Sequence, residues 1–281
     1  MAATWFSSQF LLSLIILCSL VAASADFFQD LVPTWGGPHV QILNGGQLLT
    51  LTMDQKNGGA GFSSKADFLF GRFDMQMKLI PGNSAGTVTT FYLTSGDEPN
   101  HDEIDFEFLG NTSGSPYTLH TNVFINGQGG REEEFKLWFD PSANFHSYSI
   151  VWGPQAIMFL VDNIPIRVYG NQLGTPYPYT RRMKVLASLW NGEGWATRRG
   201  KVKLDWPKAP ITAYYRNYLA TDAWQIQGLD PKGRILLKWA QKNYRIYYYC
   251  HDFERFSHYG GRPQDCRRPR ARKGKAIGKH H

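Results

Sequence analysis

His101-Asp102-Glu103-Ile104-Asp105-Phe106-Glu107-Phe108-Leu109 is the stretch that decides how this chain reads. Its acids at 103, 105 and 107 alternate with Ile104, Phe106 and Phe108. In an extended strand successive side chains point to opposite faces, so this spacing sets three carboxylates on one face and three apolar groups on the other. A helix would scatter them, and the β-branched and aromatic content also favours a strand. Carboxyl groups held side by side repel one another, so at least one should keep its proton well above the usual carboxylate range.

Outward from this run the chain continues in the same style. Short alternating or aromatic stretches at 47–53, 71–79, 87–93, 117–125, 134–138, 146–152, 156–161, 164–169 and 183–189 are separated by turn residues. Asn57-Gly58-Gly59, Pro81-Gly82-Asn83, Asn126-Gly127, Asp140-Pro141 and Gly153-Pro154 are among the breaks. Many strands at this spacing predict an all-β sandwich of two antiparallel sheets rather than βαβ units. One helix is predicted at 231–243, where Ile235, Leu236 and Trp239 recur at helical spacing. Internal repeats, a phosphate-cradling glycine loop and a Ser-His-Asp signature are absent.

Three acids on one strand can serve several purposes. A retaining glycosidase needs one carboxylate as nucleophile and a second as acid/base, about 5–5.5 Å apart, and a wider gap predicts inversion. The Cα atoms of Glu103 and Glu107 would lie about 13 Å apart along a straight strand, a gap that leaning side chains can shorten. Oxygen ligation of a hard cation by Asp102, Glu103, Asp105 and Glu107 is an alternative, although a row is not a cage. A charged edge strand that blocks aggregation is another, against which the bulky Ile104, Phe106 and Phe108 argue for a central strand. A lectin-like sandwich that binds glycan without turnover would need no paired carboxylates. Aromatic residues are 15% of the chain, with nine Trp, and most must be core. Trp190 and Trp195 flank a Gly-rich loop, where an exposed indole could stack on a sugar ring or pack at a sandwich edge.

The ends set the context. Residues 1–25 carry no charge, have an apolar centre at 10–17 and end in Ala23-Ser24-Ala25, which predicts a signal peptide, a mature start at Asp26 and a secreted protein. The apolar run is shorter than the about 20 residues of a membrane span, and no membrane or nucleic-acid partner is expected. Cys18 leaves with the leader. Cys250 and Cys266 remain as an even pair in an oxidising compartment, read as a disulfide, with free thiols or half a metal site as alternatives. The net charge of +7 equals the seven cations between Arg267 and Lys279, so the body is close to neutral. That basic tail could attract acidic polysaccharide or be merely solvated.

The run 101–109 with Gly110-Asn111 resembles the catalytic signature of the plant xyloglucan endotransglucosylase/hydrolases of glycoside hydrolase family 16. The resemblance extends to Pro116–Phe124, Leu137-Trp138-Phe139-Asp140-Pro141, 161–167, Trp195-Ala196-Thr197 and 244–250. It implies a concanavalin-like, curved β-jelly-roll whose open cleft takes a β-1,4-glucan with xylose branches, in a monomeric enzyme of the cell wall and apoplast without metal or cofactor. By position, Glu103 would be the nucleophile, Glu107 the acid/base and Asp105 the helper. Glycan contacts would fall to His120, Thr121, Asn122, Gly130, Arg131, Glu132, Gly194, Trp195, Gly200 and Arg255, and Asn111 would carry an N-glycan. The domains would be a signal peptide at 1–25, a catalytic jelly roll at 26–210, a disulfide-bearing extension with the helix at 211–266 and a basic tail at 267–281. Gly130 and Gly194 stand where that family often has acids, the family's earlier cysteine pair is missing, and the tail is long. With no inserted loop near the cleft of the hydrolytic kind, transfer between xyloglucan chains is expected over hydrolysis.

Overall fold

The computed structural model describes residues 26–96, 98–172, 174–221, 228–258 and 261–266; the expected leader with Cys18 and the basic tail lie outside the described residues. A single turn, α1 (Phe27–Asp30), capped by the Asp26 carboxylate accepting from Phe28 N–H, leads into β1 (Leu31–Trp35). The chain then forms β2 (Val40–Leu43), β3 (Leu48–Met53), β4 (Gly59–Phe68), β5 (Gly71–Lys78) and β6 (Thr87–Thr94). Next come β7 (Glu103–Leu109), β8 (Thr118–Phe124), β9 (Glu133–Phe135), β10 (His146–Trp152), β11 (Ala156–Val161) and β12 (Ile164–Gly170). The last elements are β13 (Met183–Asn191), β14 (Ile211–Thr221), α2 (Pro231–Tyr244), β15 (Arg245–Tyr248) and α3 (Phe253–His258).

Two antiparallel sheets result, one of eight strands in the order β1-β4-β13-β6-β7-β8-β9-β15 and one of seven in the order β12-β11-β10-β5-β14-β3-β2. The acidic strand β7 is central, paired on both sides with β6 and β8. Its apolar side chains fill the space between the sheets: Ile104, Phe106 and Phe108 are all fully buried. Phe106 meets Phe159 of β11 edge-on at 5.2 Å, and Phe108 meets Tyr148 of β10 at 4.6 Å. This aromatic contact fixes which face of β7 looks outward.

A second tie between the sheets is ionic. Arg167 of β12 is buried and donates to the carbonyl and hydroxyl of Thr121 on β8, at 2.9 and 2.8 Å. It also approaches Glu133 of β9 at 3.5 Å, and Glu133 pairs with Arg245 of β15 at 3.0 Å. The network therefore runs from the second sheet, through β8 and β9 of the first, into the C-terminal segment.

Three sequence expectations change. The boundary at 210/211 cuts through the sandwich, because β14 lies between β5 and β3 in the second sheet. Ile211, Ala213 and Tyr215 alternate inward there, so the extension begins after this strand. The strand expected at 134–138 runs instead from Glu133 to Phe135, and Trp138 meets Trp239 edge-on and Tyr244 at a tilt, both at 5.4 Å. The helix forms as predicted, with Asp230 capping Gly233 N–H, but of its apolar residues at helical spacing Ile235 does not pack inward. Where α2 packs on β12, Ile235 is 68% exposed, Leu236 is half-buried and Ala240 is fully buried. Cys250 and Cys266 form the disulfide, with Cα atoms 5.3 Å apart.

Phe106→Ala should cost about 3–5 kcal/mol, the range for truncating a fully buried aromatic. The measurement is the shift in urea midpoint at constant slope.

Candidate active site

The pleat of β7 places Glu103, Asp105 and Glu107 together on the outer face of the eight-stranded sheet. Cross-strand register sets Thr94, Tyr92 and Thr90 of β6 beside them on one side, and Phe124, Asn122 and His120 of β8 on the other. Asp102, of opposite parity, leaves this row. Its carboxylate accepts from Asn126 N–H at 2.7 Å and pairs with Arg181 at 3.3 Å, so it braces a turn.

The three acids have unequal surroundings. Asp105 is 3% exposed, while Glu103 and Glu107 are half-buried. Burial, followed by the charges of Glu103 and Glu107 on either side, pushes the Asp105 carboxyl well above its ordinary value. Glu103 is also raised, chiefly by burial, against the lowering effects of His101 and of hydrogen bonds from Thr94 and Asp105. A protonated Asp105 can therefore donate to a Glu103 carboxylate. Tyr92, opposite Asp105, is pushed up by burial and then by all three acids, so it stays a neutral phenol.

Glu107 has a different partner. The Nδ1 of His120 lies 2.8 Å from its Oε2, and the imidazole is buried. Burial alone would discourage charge on this ring. The hydrogen bond and charge of Glu107, helped by Glu134 and Glu132, outweigh it and raise the His120 pKa. His120, expected to touch glycan, is thus first of all the hydrogen-bond partner of Glu107.

Beyond the Glu107 end of the row the surface opens into a pocket of about 520 Å³, with His120, Glu132, Trp195, Arg199, Tyr247 and Arg255 on its walls. Trp195 is 39% exposed and stands edge-on to His120 at 6.1 Å. Arg255 binds Glu132 at 2.7 Å, joining the C-terminal segment to the cleft. A side chain at Gly130, where φ is +83°, would put its Cβ 2.8 Å from an Arg255 nitrogen. Gly200, at φ +76°, lets the 194–200 loop close on itself, since a Cβ there would lie 2.1 Å from the Gly194 carbonyl oxygen.

Two expected glycan contacts do not reach the cleft. Thr121 is fully buried on the core side of β8, and its hydroxyl donates to the Glu133 carbonyl at 3.0 Å. Arg131 spends its guanidinium on Asp265 at 3.0 Å and on backbone carbonyls of 123, 128 and 129. Asn122 does face the acids, opposite Asp105, with its carbonyl accepting from Arg131 N–H at 3.0 Å. Gly194 lies exposed in the loop that carries Trp195. Asn111 sits on the pocket rim, its amide donating to Pro116 O at 3.1 Å. Sequence reading missed Tyr247, Asp252 and Lys136 as wall residues, because they come from segments far from the motif. Tyr92 could have been found from the alternation of β6.

Comparisons with known proteins agree with this geometry. Residues 27–208 match the model of glycosyl hydrolases family 16, and residues 219–266 match that of the xyloglucan endo-transglycosylase C-terminus. The chain is 53% identical to xyloglucan endotransglucosylase protein 1 of Diospyros kaki over 94% of this chain and 95% of that one. It is also 53% identical to xyloglucan endotransglucosylase/hydrolase 2 of Glycine max, over 90% and 94%. Among solved structures, the Bacillus licheniformis beta-glucanase shares the fold, with a TM-score of 0.56 and 24% identity over 71% of this chain and 96% of that one. A central strand of alternating acids on a jelly-roll sandwich, closed by the matching C-terminal segment, places this chain in glycoside hydrolase family 16, among the xyloglucan endotransglucosylase/hydrolases.

Proposed function

We propose that the chain is a secreted xyloglucan endotransglucosylase of the plant cell wall and apoplast, which cuts the β-1,4-glucan backbone by a retaining mechanism and passes it to another xyloglucan chain. The observation that carries this reading is the outward row Glu103, Asp105 and Glu107, continued past Glu107 by an aromatic-walled pocket. In this scheme Glu103 attacks the anomeric carbon while Glu107 protonates the departing glycosidic oxygen, and a glycosyl ester forms on Glu103. Glu107, now a carboxylate held by His120, then takes the proton of an incoming sugar hydroxyl, which attacks the ester and restores both acids. Asp105 keeps its proton and steadies Glu103 by hydrogen bonding.

Transfer competes with hydrolysis in the second half-reaction. The leaving fragment and the acceptor both occupy the Glu107 side, where the pocket walls of Trp195, Tyr247 and Arg255 offer binding energy that water cannot use. The basic run at 267–279 would add attraction to acidic wall polysaccharide.

The reading is tested by incubating the protein with xyloglucan and a labelled xyloglucan oligosaccharide. Label should enter polymer. Reducing ends without incorporation would make it an endohydrolase, and binding without either would make it a lectin-like protein. Glu103→Ala should lose turnover on the order of 10⁴-fold or more while still binding polymer.

Two pH predictions follow from the unequal acids. Asp105 is raised on folding, so the folded state favours its protonated form. Its effect is favourable below the ordinary value of 3.8 and is lost as pH rises toward the folded value. Asp105→Asn, which keeps a neutral donor, should therefore melt above wild type at neutral pH, with the gap closing as pH falls from the folded value toward 3.8. Scanning calorimetry across pH reads this directly. His120, whose pKa is raised mainly by Glu107 against the opposing effect of burial, lies 2.8 Å from that carboxylate, and His120→Gln replaces it with a group that does not titrate. The limb of the kcat profile that His120 controls should disappear, with a lower maximum. A changed KM on an unmoved profile would restrict His120 to glycan contact.

A further inference from the structure

The outer face of the second sheet carries a groove that the reaction does not use. It holds about 810 Å³, with Tyr214, Phe145 and Leu48 as apolar surface and Lys78, Thr212 and Asn83 as polar surface. Its floor follows from strand parity. Tyr215 is buried and stacks edge-on with Phe62 at 5.3 Å, so Tyr214 must face outward. There it pairs across the strands with Lys78 of β5 and Thr50 of β3. Neither the Tyr214 hydroxyl nor the Lys78 ammonium has a hydrogen-bond or ion-pair partner among the described residues. Arg216 lies over the Phe145 ring, its guanidinium carbon 4.0 Å from the ring centroid.

The groove is also close to the catalytic cleft. Gly110 and Asn111 line the cleft pocket, and Ser113 lines this groove. Two residues span at most about 7 Å of chain, so one short saddle separates the two openings. The saddle adjoins the end of β7 that follows Glu107, which is the side of the leaving fragment and the acceptor.

A half-buried tyrosine ring that keeps its hydroxyl free beside the unpartnered Lys78 ammonium suits a pyranose, whose axial C–H groups stack while its hydroxyls hydrogen-bond. We propose that this groove is a second glucan-binding site, which takes the stretch of a polymeric acceptor that runs out of the cleft over the Gly110–Ser113 saddle. The site rests on the xyloglucan reading above and deepens it: chain length, and not only branching, would select the acceptor. A long chain gains contacts in both places, whereas an oligosaccharide fills the cleft alone.

The test uses the full secreted protein with one short xyloglucan oligosaccharide as donor and either polymeric xyloglucan or a short oligosaccharide as acceptor. In Tyr214→Ala, KM for the polymeric acceptor should rise about tenfold, as expected for the loss of one stacking platform. KM for the oligosaccharide acceptor and kcat should not change. Thr212→Arg, which fills the groove floor, should give the same split by a different route. An equal effect on both acceptors, or none on the polymer, overturns the proposal. If the Tyr214→Ala effect disappears after enzymatic removal of N-glycans, the groove seats a glycan on Asn111 and the proposal also falls. Absence of any transfer by wild type would instead sink the functional reading itself.

Discussion

The structure depends on the pleat of β7, which must satisfy opposite demands on its two faces. Inward, Phe106 and Phe108 lock against Phe159 and Tyr148 of the other sheet. Outward, the same alternation crowds Glu103, Asp105 and Glu107 within one strand. The crowding is unfavourable as stability, and only the anchorage of the apolar face holds the acids in that row. A one-residue slip would exchange the faces and bury three carboxylates, so the register of β7 is strongly determined.

Crowding is then resolved by environment. Asp105 lies deepest, and burial with the flanking acids pushes its carboxyl well above the ordinary value. Glu103 accepts from it, and Glu107 is drawn toward His120 on the neighbouring strand. Three chemically similar side chains thus meet three different environments. The surrounding strands have to be fixed for this to work. Arg167 and Glu133 supply that by tying β12, β8, β9 and β15 into one buried charge network. Removing one member of such a network strands a buried charge, so its members act as a unit.

The C-terminal segment is more than an appendage. β15 adds an edge strand to the acidic sheet beyond β9, and Arg255 reaches back to Glu132. The Cys250–Cys266 bridge and the Arg131–Asp265 pair hold that segment against the cleft. Arg131 was legible as a residue near the site, but its role is to fasten the wall rather than to touch sugar. Thr121 shows the same limit. Its neighbours His120 and Asn122 face the acids, and parity alone turns Thr121 into the core, where Arg167 meets it. That parity was available from sequence; the motif's contiguity concealed it.

What the sequence determined by itself was local and periodic. Alternation identified β7, its buried face and its row of acids, and turn residues marked most of the strands around it. An even pair of cysteines indicated the bridge. What only the tertiary structure decided was non-local. β14 proved to be an inner strand of the sandwich, because its partners β3 and β5 lie far away in sequence. The docking of α2 on β12 left Ile235 exposed and Ala240 buried. His120 became the partner of Glu107 because strand register brought them to 2.8 Å. Periodicity is written in neighbouring residues, whereas register, docking and ionisation are set by whichever distant groups fold against them.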